Sequence, residues 1–182
     1  AYREKHDYET YDEFGQRVDG ELEITIEKLG AQNVMAFVAE PVVGATLGAV
    51  PAVDGYFKTI REICDHHGIL LILDEVMCGM GRTGTLFAYE QEAIAPDIVC
   101  IAKGLGAGYQ PIGATICTDT IYAAIKNGSG FFQHGHTYLG DPMAAAAANS
   151  VVDVLLEENL FEHVTDIGHQ ITDALDTKFR PN

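Results

Sequence analysis

The feature that most constrains this fold is the alternation of continuous apolar runs with helix-like segments. The runs NVMAFVAEPV (33–42), ILLILD (69–74), DIVCIAK (97–103) and IGATICTD (112–119) each predict a strand. Apolar runs without polar alternation are typical of strands buried on both faces, as in mostly parallel sheets with helices on both sides. We therefore predict an α/β fold whose mainly parallel sheet is covered on both faces.

Apolar residues at helical spacing predict a helix in the stretches beside these runs. The predicted helices cover residues 8–30, 55–68, 120–126, 142–158 and 159–179. Gly68 is suited to end the second helix. Asp141 and Pro142 are suited to the cap and first turn of the fourth helix.

Three of the predicted strands end in a charged residue. Glu40 closes the first, Asp74 the second and Lys103 the third. In a parallel sheet the carboxyl ends of the strands meet at one edge, and ligands bind there. We therefore expect two acids and one base to converge at this edge and to form the functional site.

Charge and cysteine content exclude some classes of partner. The net charge of −16 argues against a nucleic-acid or anionic-membrane surface, because both need clustered Lys and Arg. No apolar stretch approaches the roughly 18 residues that span a bilayer. The four cysteines contain no C-x-x-C pair and are interpreted as buried free thiols in a reducing compartment. We expect a cytoplasmic protein.

Three short features suggest other chemistries, and all three are weak. GMGRTG (79–84) matches G-x-G-x-x-G, but Asp74 and Glu75 precede it and would repel a pyrophosphate. The acidic strand end also resembles that of an ATPase, but no G-x-x-x-x-G-K-[ST] segment accompanies it. HGH (134–136) has no obvious third metal ligand beside it, so a surface or hydrogen-bonded pair is favoured. We expect no metal site.

Lys103 and Asp74 together suggest a more specific chemistry. A lysine at the end of an apolar strand is expected beside an apolar wall, and partial desolvation suits an amine to attack a carbonyl. The plain alternative is a lysine that only extends into solvent. Pyridoxal phosphate needs an amine for its aldehyde and an anion opposite its pyridine nitrogen. Asp74 supplies that anion, and this pairing favours pyridoxal phosphate.

Residues 70–114, LLILDEVMCGMGRTGTLFAYEQEAIAPDIVCIAKGLGAGYQPIGA, closely resemble the signature region of class III pyridoxal-phosphate aminotransferases. EPVVGA (40–45), FKTIREICDHHG (57–68) and HGHTYLGDPMAAAAA (134–148) also resemble that family, in its usual order. The resemblance covers about residues 33–160. It implies the three-layer α/β/α large domain of fold type I, incomplete here.

The resemblance also implies roles for individual residues. Lys103 would bind pyridoxal phosphate as a Schiff base and move the substrate proton. Asp74 would pair with the pyridine nitrogen, and Val76 would press against one face of the ring. Thr137 would bind the cofactor phosphate from the neighbouring subunit of a homodimer. Glu40 would line the substrate pocket.

Three further expectations follow from the resemblance. The strand near 112–118 would run antiparallel to its neighbours. Met77 stands where many members have a Gln that bonds the cofactor's phenolic oxygen, which indicates a particular subgroup. Asp141 stands where a His is common, and we expect little chemical consequence because that position would cap a helix.

The implied activity is transfer of an amino group from an amine or ω-amino acid to a 2-oxo acid such as pyruvate. A decarboxylase or aminomutase, or a truncated inactive fragment, is the alternative. We expect residues 1–160 to form part of the cofactor-binding large domain. Residues 161–182 would lead toward a smaller C-terminal domain, and the Ser/Gly phosphate loop and the substrate arginine would lie outside this chain.

Overall fold

The computed structural model describes residues 4–179, and a small mixed sheet forms its frame. Its strands and α-helices, in chain order, are α1 (Tyr11–Leu29), β1 (Ala36–Ala39), β2 (Val42–Val43), β3 (Val50–Pro51), α2 (Tyr56–His67), β4 (Leu70–Asp74), β5 (Ile98–Ile101), β6 (Ala114–Cys117), α3 (Asp119–Asn127), α4 (Pro142–Glu157) and α5 (Leu160–Phe179). The ends of the two predicted domain ranges, 1–3 and 180–182, lie outside the described residues.

The main sheet has four strands in the order β1-β4-β5-β6. Strand β4 pairs in parallel with both β1 and β5, and β6 is antiparallel to β5. The predicted α/β class and mostly parallel sheet are confirmed, and so is the antiparallel strand near 112–118. Strands β2 and β3 form a separate antiparallel pair that the apolar pattern did not predict.

The predicted elements exist, but several begin or end elsewhere. The first helix begins at Tyr11 rather than residue 8, because Thr10 and Glu13 form a capping box. Thr10 Oγ1 accepts from the Glu13 amide at 3.2 Å, and Glu13 Oε2 accepts from the Thr10 amide at 2.8 Å. Strand β5 ends at Ile101, so Lys103 follows the strand and is not part of it.

Two clusters of buried side chains hold the helices against one face of the sheet. The first joins α1 and α2 to β4, and its buried members are Ile26, Phe57, Ile60, Cys64, Ile69, Leu71 and Leu73. The second joins α4 to β5, and its buried members are Met80, Val99, Ile101, Leu105 and Ala148. Leu73 is paired with Val99 in the parallel register, so both clusters lie on the same face.

The opposite face of the sheet is more open. Val38 is 62% exposed, and Ile72 and Ile98 are only half-buried. Within residues 4–179 this face of the sheet is therefore only partly covered. An uninterrupted apolar strand shows that both of its faces suit burial, but it does not show which segment covers each face.

All four cysteines are free, as predicted. Cys64 and Cys78 are buried, and Cys100 is half-buried. Cys117 is exposed, contrary to expectation, because β6 is an edge strand whose residues are all exposed. Within the described part of the chain, no helix is both long enough and apolar enough to cross a membrane.

Asp19 is a buried acid in the contact between α1 and α2. Its side chain is 5% exposed, and within residues 4–179 its Oδ1 atom has no hydrogen-bond partner. Burial raises the pKa of Asp19 from 3.8 to about 6, and a side-chain hydrogen bond with Thr59 opposes this rise. The folded chain therefore holds the Asp19 proton more tightly than the unfolded chain does.

The contribution of Asp19 to the stability of the chain should consequently fall as pH rises from about 4 to about 6. Asp19→Asn removes the buried charge, and we expect it to raise the free energy of unfolding at pH 7 by about 1–2 kcal/mol. The gain should shrink toward pH 4, where wild-type Asp19 is protonated when folded. Urea denaturation at both pH values measures it. Glu27→Gln, on the exposed side of α1, is the control, and a pH-independent gain would contradict the prediction.

Candidate active site

The three charged strand ends lie at one edge of the sheet. Ala39 pairs with Leu73, so Glu40 and Asp74 are the next residues along two neighbouring parallel strands. Asp74 pairs with Cys100, and Lys103 follows β5 shortly beyond that residue. The strand directions therefore bring two acids and a base to the carboxyl edge of the sheet, where ligands bind in such folds.

The Asp74 side chain is held in place by a backbone amide two residues further along the chain. Its side chain is half-buried, and Oδ1 accepts a hydrogen bond from the Val76 amide at 3.0 Å. This short turn fixes the carboxylate at the end of β4. Val76 is itself half-buried beside Asp74.

Lys103 begins a short 3₁₀ helix, Lys103–Leu105, just beyond β5. Its φ of 43° lies in the left-handed region, which costs a residue with a side chain of order 1 kcal/mol or more. The Leu105 amide donates to the Ala102 carbonyl at 2.9 Å, and the Gly106 amide to the Lys103 carbonyl at 3.2 Å. The Lys103 side chain is exposed, so the expected apolar wall does not cover it within residues 4–179.

The turn 79–81 packs against Gly104, the residue after Lys103, and does not form a dinucleotide loop. Gly79, Met80 and Gly81 are buried, so no ligand phosphate could approach their backbone. A Cβ atom on Gly104 would lie 2.9 Å from Met80 Cβ, which shows how closely this turn supports the residue after Lys103. The Met80 amide donates to the Leu86 carbonyl at 2.7 Å and fixes the turn.

Glu75 is a site residue that we did not predict. It is fully buried, with Oε2 accepting from the Ala88 amide at 2.7 Å and Oε1 from the Tyr89 amide at 2.9 Å. Burial raises its pKa, and the two amides oppose that rise. A signal was present in the sequence: Leu71, Leu73 and Glu75 alternate in phase, so the third points toward the core like the other two.

Glu40 and Met77 shape the neighbouring part of the edge. Glu40 is half-buried, and its Oε2 accepts from the Gly44 amide at 2.9 Å. It also lines a mostly apolar cavity of about 260 Å³ beside Phe14 and Val43. Met77 packs closely against Gly44 on the same loop. A Cβ atom placed on Gly44 would lie 2.6 Å from the Met77 sulfur.

Thr137 lies outside the strands that carry the other predicted site residues. It is exposed and lies in the turn 137–140, between α3 and α4. The surrounding segment borders residues 110–113 across a cavity of about 470 Å³. Large exposed apolar side chains flank Thr137, namely Phe131, Phe132, Tyr138 and Leu139. Glu40, Asp74, Val76 and Lys103 thus share one edge, and the segment around Thr137 borders the residues just before β6.

The family model for class III aminotransferases matches residues 2–180. This chain belongs to the class III aminotransferase family. A protein named aminotransferase from Gibberella zeae is 48% identical over 170 residues, which are 93% of this chain and 33% of that protein. Putrescine–pyruvate aminotransferase from Pseudomonas aeruginosa is 45% identical over 153 residues, 84% of this chain and 33% of that protein.

Solved structures show the same fold. A pyridoxal-phosphate-bound amine transaminase from an uncultivated Pseudomonas species superposes with a TM-score of 0.87 at 43% identity, covering 92% of this chain and 38% of that one. This class III aminotransferase chain therefore has the α/β fold of a pyridoxal-phosphate-dependent transaminase large domain. It spans about a third of the length of the curated relatives that it matches.

Class III aminotransferases depend on pyridoxal phosphate, and the residues at this edge fit that cofactor. Lys103 offers an exposed amine at a strand end. Asp74 on the neighbouring strand offers a carboxylate held from one side by the Val76 amide. An amine and a carboxylate on adjacent strands are the two groups that the cofactor's aldehyde and ring nitrogen require.

The support of Lys103 by the turn 79–81 makes Gly104 sensitive to substitution. Gly104→Ala places a methyl group 2.9 Å from Met80 Cβ, and we expect it to lower the free energy of unfolding by about 1–3 kcal/mol. Gly20→Ala is the control, because a Cβ there meets nothing within 4 Å and α1 should gain about 0.5–1 kcal/mol. Guanidinium denaturation measures both, and a neutral Gly104→Ala would contradict the packing argument.

Proposed function

We propose that this chain is the pyridoxal-phosphate-binding core of a transaminase. The full protein would move an amino group from an amine or ω-amino acid to a 2-oxo acid such as pyruvate. The observation that carries the proposal is the position of Asp74 and Lys103 at the ends of adjacent parallel strands. Family membership supports the reaction class, and the names of individual relatives support an amine donor and pyruvate as acceptor.

Lys103 would have two successive roles in the reaction. Its Nζ atom would hold the cofactor through the aldehyde carbon and, once the substrate amine has replaced it, would move the proton on the substrate's Cα. When bound, the cofactor supplies an electron-withdrawing ring that stabilises negative charge at that carbon. The left-handed backbone at Lys103 supports this role, because strain of this kind is found at functional sites.

Asp74 would keep the ring nitrogen protonated. One of its oxygens is engaged by the Val76 amide, which fixes the carboxylate and leaves the second oxygen for the ring. A cationic partner stabilises a half-buried carboxylate. The pairing would therefore offset the cost of burying the Asp74 charge and would keep the ring nitrogen protonated. Val76, directly beside it, would pack on one face of the ring.

Glu40 would influence the choice of substrate, and Met77 would affect how the cofactor is held. Glu40 lines an apolar cavity, which supports a place for the apolar part of an amine. Met77 cannot make the strong bond to the phenolic oxygen that a Gln would make, so the phenolic oxygen would be bound less tightly on this side.

Thr137 would bind the cofactor phosphate across the interface of a homodimer. Its exposure, and the exposed aromatic and apolar side chains on either side of it, support contact with a second subunit. We propose a cytoplasmic homodimer with shared active sites. We also propose that residues 1–160 belong to the large domain and that 161–182 lead toward the smaller one. Exposed Ile167, Ile171 and Leu175 on α5 support further packing there.

Two alternative functions share the fold and the site residues of this proposal. A decarboxylase or aminomutase would use the same lysine and aspartate with a different proton transfer. A chain that is inactive alone is favoured by the exposure of Lys103, because an amine in water loses the low-dielectric setting that catalysis needs. Activity would then require segments outside residues 4–179 or a second subunit.

Attachment of pyridoxal phosphate to one lysine tests the proposal. We expect wild type to show the absorbance band of lysine-bound cofactor, and borohydride trapping followed by peptide mapping should place at least about tenfold more label on Lys103 than on any other lysine. Lys103→Ala should lose the band. Lys126→Ala, which removes an exposed lysine of α3, should keep it. Label spread evenly over surface lysines would contradict the proposal.

A further inference from the structure

We infer that Glu75 is a positioning residue that holds Asp74 and Lys103 in a fixed relation by locking the turn between them. The inference rests on the proposed function, because it concerns the same two groups. Glu75 is fully buried, so its side chain does not reach the open edge. Its contacts run through the interior, from the end of β4 to the turn that supports Lys103.

The first contact ties the end of β4 to β5. The Glu75 amide donates to the Cys100 carbonyl at 2.9 Å, which extends the strand pairing beyond Asp74. Asp74 therefore precedes a residue whose backbone is pinned. The Glu75 carboxylate is pinned as well, because its two oxygens accept from the Ala88 and Tyr89 amides at the start of a 3₁₀ helix.

The second contact passes from Glu75 to the turn 79–81. The Gly79 amide donates to the Glu75 carbonyl at 2.9 Å. A Cβ on Gly79 would lie 2.8 Å from that carbonyl oxygen and 2.9 Å from Glu75 Oε2, so the turn rests directly on this side chain. A shift of the carboxylate would move the turn with it, since buried groups have little free space.

The third contact reaches Gly104, the residue after Lys103. Met80, next to Gly79, lies against Gly104, where a Cβ would be 2.9 Å away. Lys103 has a strained left-handed backbone, which persists only when its surroundings enforce it. The buried turn 79–81 provides that support from one side. Glu75 thus connects the backbone beside Asp74 to the backbone beside Lys103 through a continuous packed path.

A carboxylate suits this role better than an amide. Two backbone donors converge on the side chain, and each oxygen of Glu75 accepts one of them. Glu75→Gln keeps the size but turns one acceptor into an NH₂ donor that faces a backbone N–H. One amide, at Ala88 or Tyr89, then loses its partner inside the protein.

The test compares amide hydrogen exchange in the cofactor-free chain. In Glu75→Gln we expect the amides of Leu105 and Gly106, which close the Lys103 turn, to exchange roughly tenfold faster. The control is Asp97→Asn. Asp97 also accepts a backbone bond, from Leu71 at 2.8 Å, but it lies at the amino edge of the sheet and pairs with Arg61 at 2.7 Å. We expect it to lose stability without selective exchange at 105–106.

A second readout uses the cofactor. Glu75→Gln should bind pyridoxal phosphate roughly tenfold more weakly and should shift the absorbance band of the lysine-bound form, because both partners have moved. Glu75→Asp, which keeps the charge on a shorter stem, should recover part of both effects. If Glu75→Gln does not fold, Glu75→Asp makes the same comparison with Asp97→Asn.

Two results would overturn the inference. One is faster exchange at Ala88 and Tyr89 with unchanged exchange at 105–106, which would make Glu75 a local cap only. The other is equal acceleration at 105–106 in Asp97→Asn, which would mean a general loss of stability. Failure of the proposed function looks different: wild type would then attach no cofactor to Lys103, and the exchange comparison would still decide whether Glu75 holds that turn.

Discussion

The parallel pairing of β4 with β1 and β5 is the constraint on which the rest of this structure depends. Because the three strands run in the same direction, their carboxyl ends lie at one edge of the sheet. The residues that follow them are therefore neighbours in space although they are far apart in sequence. The helices hold this arrangement from one face. At the opposite end of the sheet, Asp97 ties β4 and α2 together through the Leu71 amide and Arg61. The site is thus a consequence of strand direction.

The adjacent acids at the end of β4 have separate tasks that follow from strand geometry. Successive side chains point to opposite faces, so Asp74 and Glu75 cannot share one environment. Glu75 follows Leu71 and Leu73 into the core and meets two backbone amides there. Asp74 stays half-buried at the edge, where one oxygen is already held by the Val76 amide. One acid stabilises the frame, and we propose that the other meets the cofactor.

Much of this fold follows from the sequence, because continuous apolar runs and helical spacing are local signals. The predicted strands and helices exist, and the strand ends at Glu40, Asp74 and Lys103 share an edge. Three features could not be predicted in this way. The first helix begins where Thr10 and Glu13 form a capping box, a T-x-x-E signal that apolar spacing does not contain. Exposure of Lys103 depends on what covers the edge. The link from Glu75 through Met80 to Gly104 needs packing that no spacing rule shows.

The claim that Asp74 and Lys103 act on one cofactor is tested most directly by the protonation state of the ring nitrogen. Nitrogen-15 NMR of labelled pyridoxal phosphate, attached to wild type and to Asp74→Asn at pH 8, reports that state. We expect a protonated nitrogen in wild type and a neutral one in Asp74→Asn, with the label on Lys103 in both. The same nitrogen shift in both proteins would mean that Asp74 does not face the ring, and would contradict the account.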